Sequence, residues 1–430
     1  MTPSARLSAA IDILGEIGKG RVADRVLSYW AKSNRYAGSK DRAAIQERVF
    51  DVLRNRALYA HGMRLETPRA LVLASLLHHD GISADEAGQL FDGVRFAPQP
   101  LSEEERIALE AFPTEIESAP AHVRLNLPGW LVPEFQQAFG EGFEQEIGAL
   151  NERAPLDLRV NMALTNREAA RQRLADEGIE TEPTPWSPWG LRSTGKARVT
   201  HTATYKDGWV DVQDEGSQLA CLAAHVAPGE QVVDLCAGAG GKALALSAVL
   251  RGEGHVVACD TDPRRLGRLL PRAERAGAGA LETRRLKPFD PDSADPDLGD
   301  LEGRIDCVFI DAPCSGTGTW RRQPEARWQL TPEKLDAYRA AQTEVLVRGG
   351  RLVRPGGRLV YVTCSVLGCE NEAQIDAFLQ EFPQFLAVPW QHGWPDEACL
   401  PPVPEGPHLR LTPYTSGTDG FFVCILERHA

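Results

Sequence analysis

A chain of 430 residues, 43% hydrophobic and 25% charged, exceeds the size of one compact core and has ordinary globular composition, so two or three folded domains are expected. No apolar run approaches the length that spans a bilayer, and Asp12, Glu16 and Lys19 interrupt any signal-peptide core. A cytoplasmic chain without membrane attachment follows as the expectation. Nine cysteines without a CxxC pair argue for reduced thiols and against a disulfide framework or a structural metal.

The formal net charge of -13 opposes nucleic-acid binding only on average. Residues 1–70 carry 13 Lys+Arg against 7 Asp+Glu, a balance of +6, whereas residues 71–150 carry 3 against 14, a balance of -11. A basic N-terminal segment is therefore available for phosphate contact, although the same residues also suit solvated helix faces.

From Leu7 to about Leu90 the sequence reads as helices. Ile45, Val49 and Leu53 recur at a four-residue spacing that places them on one face. The acidic, Pro-bearing stretch Ser102–Pro120 reads as a linker, and Pro128–Asn151 reads as helical again. From Leu156 to about Arg198, a strand-like LDLRVN, a helix-like segment from Asn166 to Glu177 and a Pro/Trp-rich turn region suggest a small α/β module. After Gly208 the pattern changes to buried-strand runs separated by helical segments: QVVDLC (231–236), HVVACD (255–260), DCVFIDAP (306–313), RLVYVTCS (358–365) and FFVCIL (421–426). This alternation predicts a largely parallel, doubly wound Rossmann-like sheet, whose ligands bind beyond the carboxyl ends of the strands.

The residues at those ends carry the chemistry. Asp234-Leu-Cys-Ala-Gly-Ala-Gly-Gly-Lys242 leads from a strand into a helix, and Gly238, Gly240 and Gly241 permit close backbone approach to a ligand. It is not a Walker A loop, because Cys236 and Ala243 stand where that motif needs Gly and a Mg-binding hydroxyl. Asp260 closes the next strand 20 residues beyond Gly240, the spacing of an acid that accepts from ribose hydroxyls, so an adenosine ligand is favoured and a nicotinamide dinucleotide stays open. Asp311-Ala-Pro-Cys-Ser-Gly-Thr-Gly318 and Thr363-Cys-Ser365 end two further strands and bring an acid and two thiols, Cys314 and Cys364, to one crevice. Of the other seven cysteines, Cys221, Cys259, Cys307, Cys399 and Cys424 read as small hydrophobes.

An acid and a thiolate belong together in methylation at carbon 5 of cytosine. That carbon is a poor nucleophile until a thiolate adds to carbon 6 and makes the ring enamine-like, able to attack a sulfonium methyl group. A carboxyl group at N3 stabilises the charge that the addition leaves on the ring, and a second thiol can assist proton removal or release. This chemistry does not order the two cysteines, since DNA cytosine methyltransferases use the thiol of a Pro-Cys pair.

These segments resemble the Nol/Nop/Sun family of RNA cytosine-5 methyltransferases, in particular bacterial Sun-type ribosomal RNA enzymes. The resemblance runs through most of the chain: LRVN (158–161), VQDEGSQ (212–218), DLCAGAGGK (234–242), DAPCSGTG (311–318), RRQPEARW (321–328), TCS (363–365), Glu370-Asn371-Glu372 and DGFF (419–422). It implies S-adenosyl-L-methionine as cofactor, 16S ribosomal RNA as substrate, no metal, and a monomer. It also implies Cys364 as the nucleophile, Cys314 as the residue that releases the adduct, Asp311 as the group at N3 and the exocyclic amine, and Lys242 beside Asp311. Cys236, Ala237, Gly238, Gly240, Gly241, Asp260, Arg265 and Asp290, together with Asp311, would shape the cofactor pocket.

The N-terminal helices resemble the NusB-like RNA-binding domain fused to some Sun-type enzymes. The implied division is a helical NusB-like domain at 1–125, a small α/β module at 126–204 and a class I methyltransferase domain at 205–430. Three departures from the family pattern stand out: Ala239 replaces the usual proline, only Asp290 lies near the third strand as an acid for the adenine, and the last motif is shortened to Gly417-Thr-Asp-Gly-Phe-Phe422. A nonenzymatic ribosome-assembly factor and a transfer-RNA cytosine-5 methyltransferase are the alternatives.

Overall fold

Ile45, Val49 and Leu53 are buried along one face of the helix Ser39–Arg54, where their spacing places them. They belong to the first of two units in the computed structural model, which describes every residue except Lys196 and Ala430. The units comprise Met1–Glu152 with Trp320–Leu330, and Arg153–Thr319 with Thr331–Ala430.

The first unit is helical throughout its described secondary structure and centres on Ile13, Val49, Tyr59, Met63, Val72, Leu73 and Phe112. Asn55 separates Ser39–Arg54 from the helix Arg56–Met63. The side-chain oxygen of Asn126 accepts from the N–H groups of Ala57 and Leu58, at 3.1 and 3.2 Å, and so satisfies the start of that second helix. The stretch expected to be a linker at Ser102–Pro120 instead contains the helix Glu103–Glu117. Ser102 accepts from the Glu105 N–H while Glu105 accepts from the Ser102 N–H, a capping box that outweighs the interior Pro113. Leu109 and Phe112 then bury one face of this helix.

This helical unit extends beyond residue 125 to Glu152 and takes in the RRQPEARW segment. Trp320 stacks on Phe135 at 5.2 Å between ring centroids. Arg327 is buried, donates to the carbonyl oxygen of Asn126 at 2.7 Å and to the side chain of Asn151 at 3.2 Å, and lies over Trp320 at 4.7 Å. Burial, and then the charge of Arg54, lowers its pKa to about 9.

The second unit begins with four antiparallel strands, β1 (Asp157–Val160), β2 (Thr181–Pro183), β3 (Gly190–Ser193) and β4 (Val210–Val212), in the order β2-β3-β1-β4. Leu158, Val160, Ala170, Leu174 and Leu191 form its small core. Asn166 caps the helix Arg167–Asp176 by accepting from the Ala169 N–H.

The larger sheet contains β5 (Gln231–Asp234), β6 (His255–Asp260), β7 (Leu281–Arg285), β8 (Ile305–Asp311), β9 (Val353–Thr363), β10 (Phe385–Val388), β11 (Leu409–Leu411) and β12 (Phe421–Arg428). Their order is β10-β12-β9-β8-β5-β6-β7, with β11 paired to β12. Strands β5 to β9 are parallel, whereas β12 runs antiparallel to β9, with Phe422 opposite Thr363. Val233, Val257, Val308 and Leu359 face one buried layer, and Val232, Val256, Cys307 and Val360 face the other. The chain leaves β5 toward β6 on one side and meets β8 on the other. This reversal opens a crevice at the carboxyl ends of β5 and β8.

Candidate active site

Asp234, Asp260, Asp311 and Thr363 close β5, β6, β8 and β9, so the alternation of strand and helix gathers their following loops along one sheet edge. Past Asp234 the loop of Cys236 and Ala237 bends tightly. The Ala237 N–H donates to the Cys259 carbonyl at 2.8 Å, and the Gly240 N–H donates to the Ala237 carbonyl at 2.8 Å. Gly238 and Gly240 have φ values of 58° and 83°. A β-carbon at Gly240 would stand 2.5 Å from Leu269, and one at Gly238 would stand 2.5 Å from the Arg265 guanidinium, so the turn admits glycine alone without displacement. Gly241 opens the helix Gly241–Leu250, whose N-terminus has no side-chain cap.

Asp260 braces this turn directly. It accepts from the Gly238 N–H at 2.9 Å and from the Asp262 N–H at 2.8 Å, and it meets the Arg265 guanidinium at 3.3 Å. Sequence spacing pointed to Asp260 but not to this role as the loop's own anchor. Two arginines hold the same turn from outside: Arg159 of LRVN donates to the Gly241 carbonyl, and Arg272 donates to the Ala239 carbonyl while pairing with Asp211 at 2.6 Å. Arg272 carries no sequence signal apart from its place in an Arg-rich helix.

Asp290 lies elsewhere in character. It is exposed, and its carboxylate accepts from the Asp292 N–H at 3.0 Å and the Ser293 hydroxyl at 2.7 Å, closing a local turn beyond β7.

The catalytic candidates converge more tightly. Lys242 Nζ pairs with Asp311 Oδ2 at 2.7 Å and sits over the Phe421 ring at 5.1 Å. Burial opposes the lysine charge, but the charge and hydrogen bond of Asp311 prevail and raise its pKa. The sulfurs of Cys314 and Cys364 stand 3.5 Å apart. The hydrogen bond to Cys364, followed by burial, pushes the Cys314 thiol well above its ordinary range. Burial similarly raises Cys236, and burial with the nearby Asp311 charge pushes Asp234 up to about 7.

Main-chain bonds join three sequence motifs here. The Gly318 N–H donates to the Cys364 carbonyl at 2.9 Å, and the Gly420 N–H donates to the Gly318 carbonyl at 2.8 Å. A β-carbon at Gly318 would lie 2.4 Å from the Gly420 carbonyl oxygen. DAPCSGTG, TCS and DGFF are therefore laced together, which gives the shortened last motif a backbone function.

Among the described residues no group of His, Cys, Asp and Glu is arranged to hold a metal ion, and no helix is long and apolar enough to cross a membrane.

The family described as 16S rRNA methyltransferase RsmB/F matches residues 221–427, and the ferredoxin-like domain of RsmF/B-like methyltransferases matches residues 127–200. The probable ribosomal RNA small subunit methyltransferase B of Synechocystis is 32% identical over 70% of this chain and 67% of its own length. The ribosomal RNA small subunit methyltransferase B of Salmonella arizonae is 35% identical over 72% of this chain and 68% of its own. Among solved structures, a methyltransferase homologue from Pyrococcus horikoshii superposes with a TM-score of 0.59 at 26% identity, covering 72% of this chain and 97% of that one. From its site motifs, its methyltransferase sheet and these relatives together, the chain belongs to the RsmB/F (Nol/Nop/Sun) family of rRNA methyltransferases.

Proposed function

We propose that this protein methylates carbon 5 of a cytosine in 16S ribosomal RNA, taking the methyl group from S-adenosyl-L-methionine and passing through a covalent bond between Cys364 and carbon 6 of the base. The observation that carries this reading is the pair of sulfurs at 3.5 Å beside the Lys242–Asp311 ion pair.

The residues at the β5 and β6 ends fit the cofactor. The positive-φ glycine turn, the uncapped helix start at Gly241 and the acid Asp260 supply backbone approach, N–H groups and acceptors for an adenosine carrying an amino-acid tail. When bound, S-adenosyl-L-methionine supplies an electrophilic methyl group. Cys236, Ala237, Gly238, Gly240, Gly241, Asp260, Arg265 and Asp311 would line that site. The local turn of Asp290 makes it the weakest member of the set.

The chain's own residues then divide the work. The Cys364 sulfur adds to carbon 6 and forms the S–C bond, while the ring electrons move toward carbon 5 and N3. Asp311, held by Lys242, receives the exocyclic amine and guides a proton from the ion pair to N3, so no uncompensated charge builds on the ring. As the methyl group is transferred, the N3 proton returns to the Lys242–Asp311 pair; a water molecule then takes the carbon 5 proton, the C–H electrons form the carbon 5–carbon 6 double bond, and the S–C bond breaks with its electrons leaving on the Cys364 sulfur as thiolate. Cys314, its sulfur 3.5 Å from that of Cys364, donates its S–H to the departing sulfur and so serves this release step.

The helical unit supplies the RNA-binding surface in this reading, as a NusB-like domain would. Tyr29 and Tyr36 are largely exposed, with Arg25, Lys32 and Arg35 exposed near them in sequence, a combination suited to phosphate contact and base stacking. Incubation with methyl-labelled cofactor and small-subunit ribosomal RNA, followed by nucleoside analysis, tests the reaction. Label in 5-methylcytidine is the expected outcome; label in another nucleoside, or none, contradicts it.

A further inference from the structure

Cys314 and Cys364 sit in turns after different strands, so their 3.5 Å spacing requires something to hold the two turns together. The fully buried Glu370 does so. One oxygen of its carboxylate accepts from the Ser315 N–H at 2.8 Å and from the Gln342 amide at 3.0 Å. The other accepts from the hydroxyls of both Ser315 and Ser365. Ser315 follows Cys314 and Ser365 follows Cys364, so a single carboxylate grips the residue after each cysteine, through backbone and hydroxyl at Ser315 and through the hydroxyl at Ser365.

Asn371 completes the hold on the second turn. Its side-chain oxygen accepts from the Thr363 hydroxyl at 2.6 Å, and its amide donates to the Ser365 carbonyl at 3.0 Å, anchoring the residues on both sides of Cys364. The Tyr361 hydroxyl donates to the Glu370 carbonyl oxygen at 2.7 Å and ties the clamp back to β9. Gln342 also donates to the Pro313 carbonyl at 2.9 Å, which holds the residue before Cys314. Burying a carboxylate against uncharged donors is costly unless its acceptor sites are filled. Here the two oxygens receive four donors, which a glutamine amide cannot match because half its polar end is itself a donor.

We propose that Glu370, assisted by Asn371, is a positioning residue that sets the distance and direction of the two thiols for attack on the base and release from it. This rests on the covalent reading given above. Glu370 touches no reacting atom; it acts through Ser315 and Ser365. A displacement of about 1 Å at reacting atoms can slow a step on the order of 100-fold.

The test follows adduct formation on small-subunit ribosomal RNA transcribed with 5-fluorocytidine. Fluorine at carbon 5 leaves no proton to remove, so the methylated adduct cannot collapse. Single-turnover rates are measured for the unsubstituted protein and for Glu370→Ala, Glu370→Gln, the double variant Ser315→Ala/Ser365→Ala, and Cys364→Ala. Cofactor affinity and thermal unfolding are measured on each. The expected result is a roughly 100-fold slower rate for Glu370→Ala and roughly 10-fold for both Glu370→Gln and the serine double variant. Cofactor Kd should stay within about twofold of the unsubstituted value, a split that general unfolding would not produce. Adduct formation at the unsubstituted rate in Glu370→Ala and the serine double variant overturns the proposal, as does a rate loss matched by loss of cofactor binding or folding. Absence of any adduct with the unsubstituted protein, or its persistence in Cys364→Ala, contradicts the covalent reading itself and takes the clamp with it.

Discussion

The sulfurs of Cys314 and Cys364 face each other at 3.5 Å from turns that follow the neighbouring parallel strands β8 and β9. At that spacing one thiol can attack a base while the other handles a proton at the same site. Cys364→Ala is expected to lose methylation and every denaturation-resistant protein–RNA species. Cys314→Ala is expected to lose turnover while accumulating such a species. Denaturing gel electrophoresis with labelled RNA distinguishes the two; equal behaviour of both variants contradicts the division of roles.

The Lys242–Asp311 pair at 2.7 Å makes a second prediction. Asp311→Asn keeps the shape but removes the charge that steers a proton toward N3, and single-turnover methyl transfer should slow by about 100-fold or more. Retention of the full rate would remove Asp311 from the chemistry.

Arg272 ties down the carbonyl of Ala239, the position where the family pattern has proline. Arg272→Ala frees this turn, and cofactor binding is expected to weaken by about 5- to 30-fold, corresponding to about 1–2 kcal/mol of lost ordering and hydrogen bonding. Adding Ala239→Pro should restore part of that loss by restricting the same turn in the free protein. Calorimetric titration with the cofactor reads both; no weakening in the single variant removes the bracing role.

Asp234 provides a pH test. Its folded-state pKa is raised to about 7 from an ordinary 3.8, chiefly by burial. The folded state thus binds a proton that the unfolded state has released, and the stability this contributes is present below about pH 4 and lost as pH rises to about 7. Asp234→Asn cannot ionise, so its melting temperature relative to the unsubstituted protein should rise between pH 5 and pH 8, by an amount worth about 2–3 kcal/mol. A constant difference between the two proteins across that range contradicts the shift.

In the helical unit, Arg327→Ala removes hydrogen bonds to Asn126 and Asn151 and the cation above Trp320. The expected loss is about 2–4 kcal/mol. Chemical denaturation measures it; a change under about 0.5 kcal/mol would show that neighbours replace these contacts.

The methyltransferase sheet was legible where strands are buried on both faces. QVVDLC, HVVACD and FFVCIL are continuous apolar runs and became β5, β6 and β12. Strand β7 was not legible, because Leu281–Arg285 is only partly buried at the sheet edge and its sequence, LETRR, lacks the apolar signal. The helix Glu103–Glu117 was hidden by its acidic residues and Pro113, although Ser102 and Glu105 had the spacing of a capping box. At the site, turn glycines and strand-end acids announced themselves by spacing. The bracing by Arg159, Arg272 and Gln342 did not, because it joins residues 29 to 82 positions apart through the fold.

Peptide mass spectrometry of the adduct on 5-fluorocytidine-substituted small-subunit ribosomal RNA tests the covalent chemistry most directly. The predicted result is a methylated fluorocytidine attached to the peptide at Cys364. Attachment at Cys314, or no attached nucleotide, would contradict Cys364 as the attacking residue.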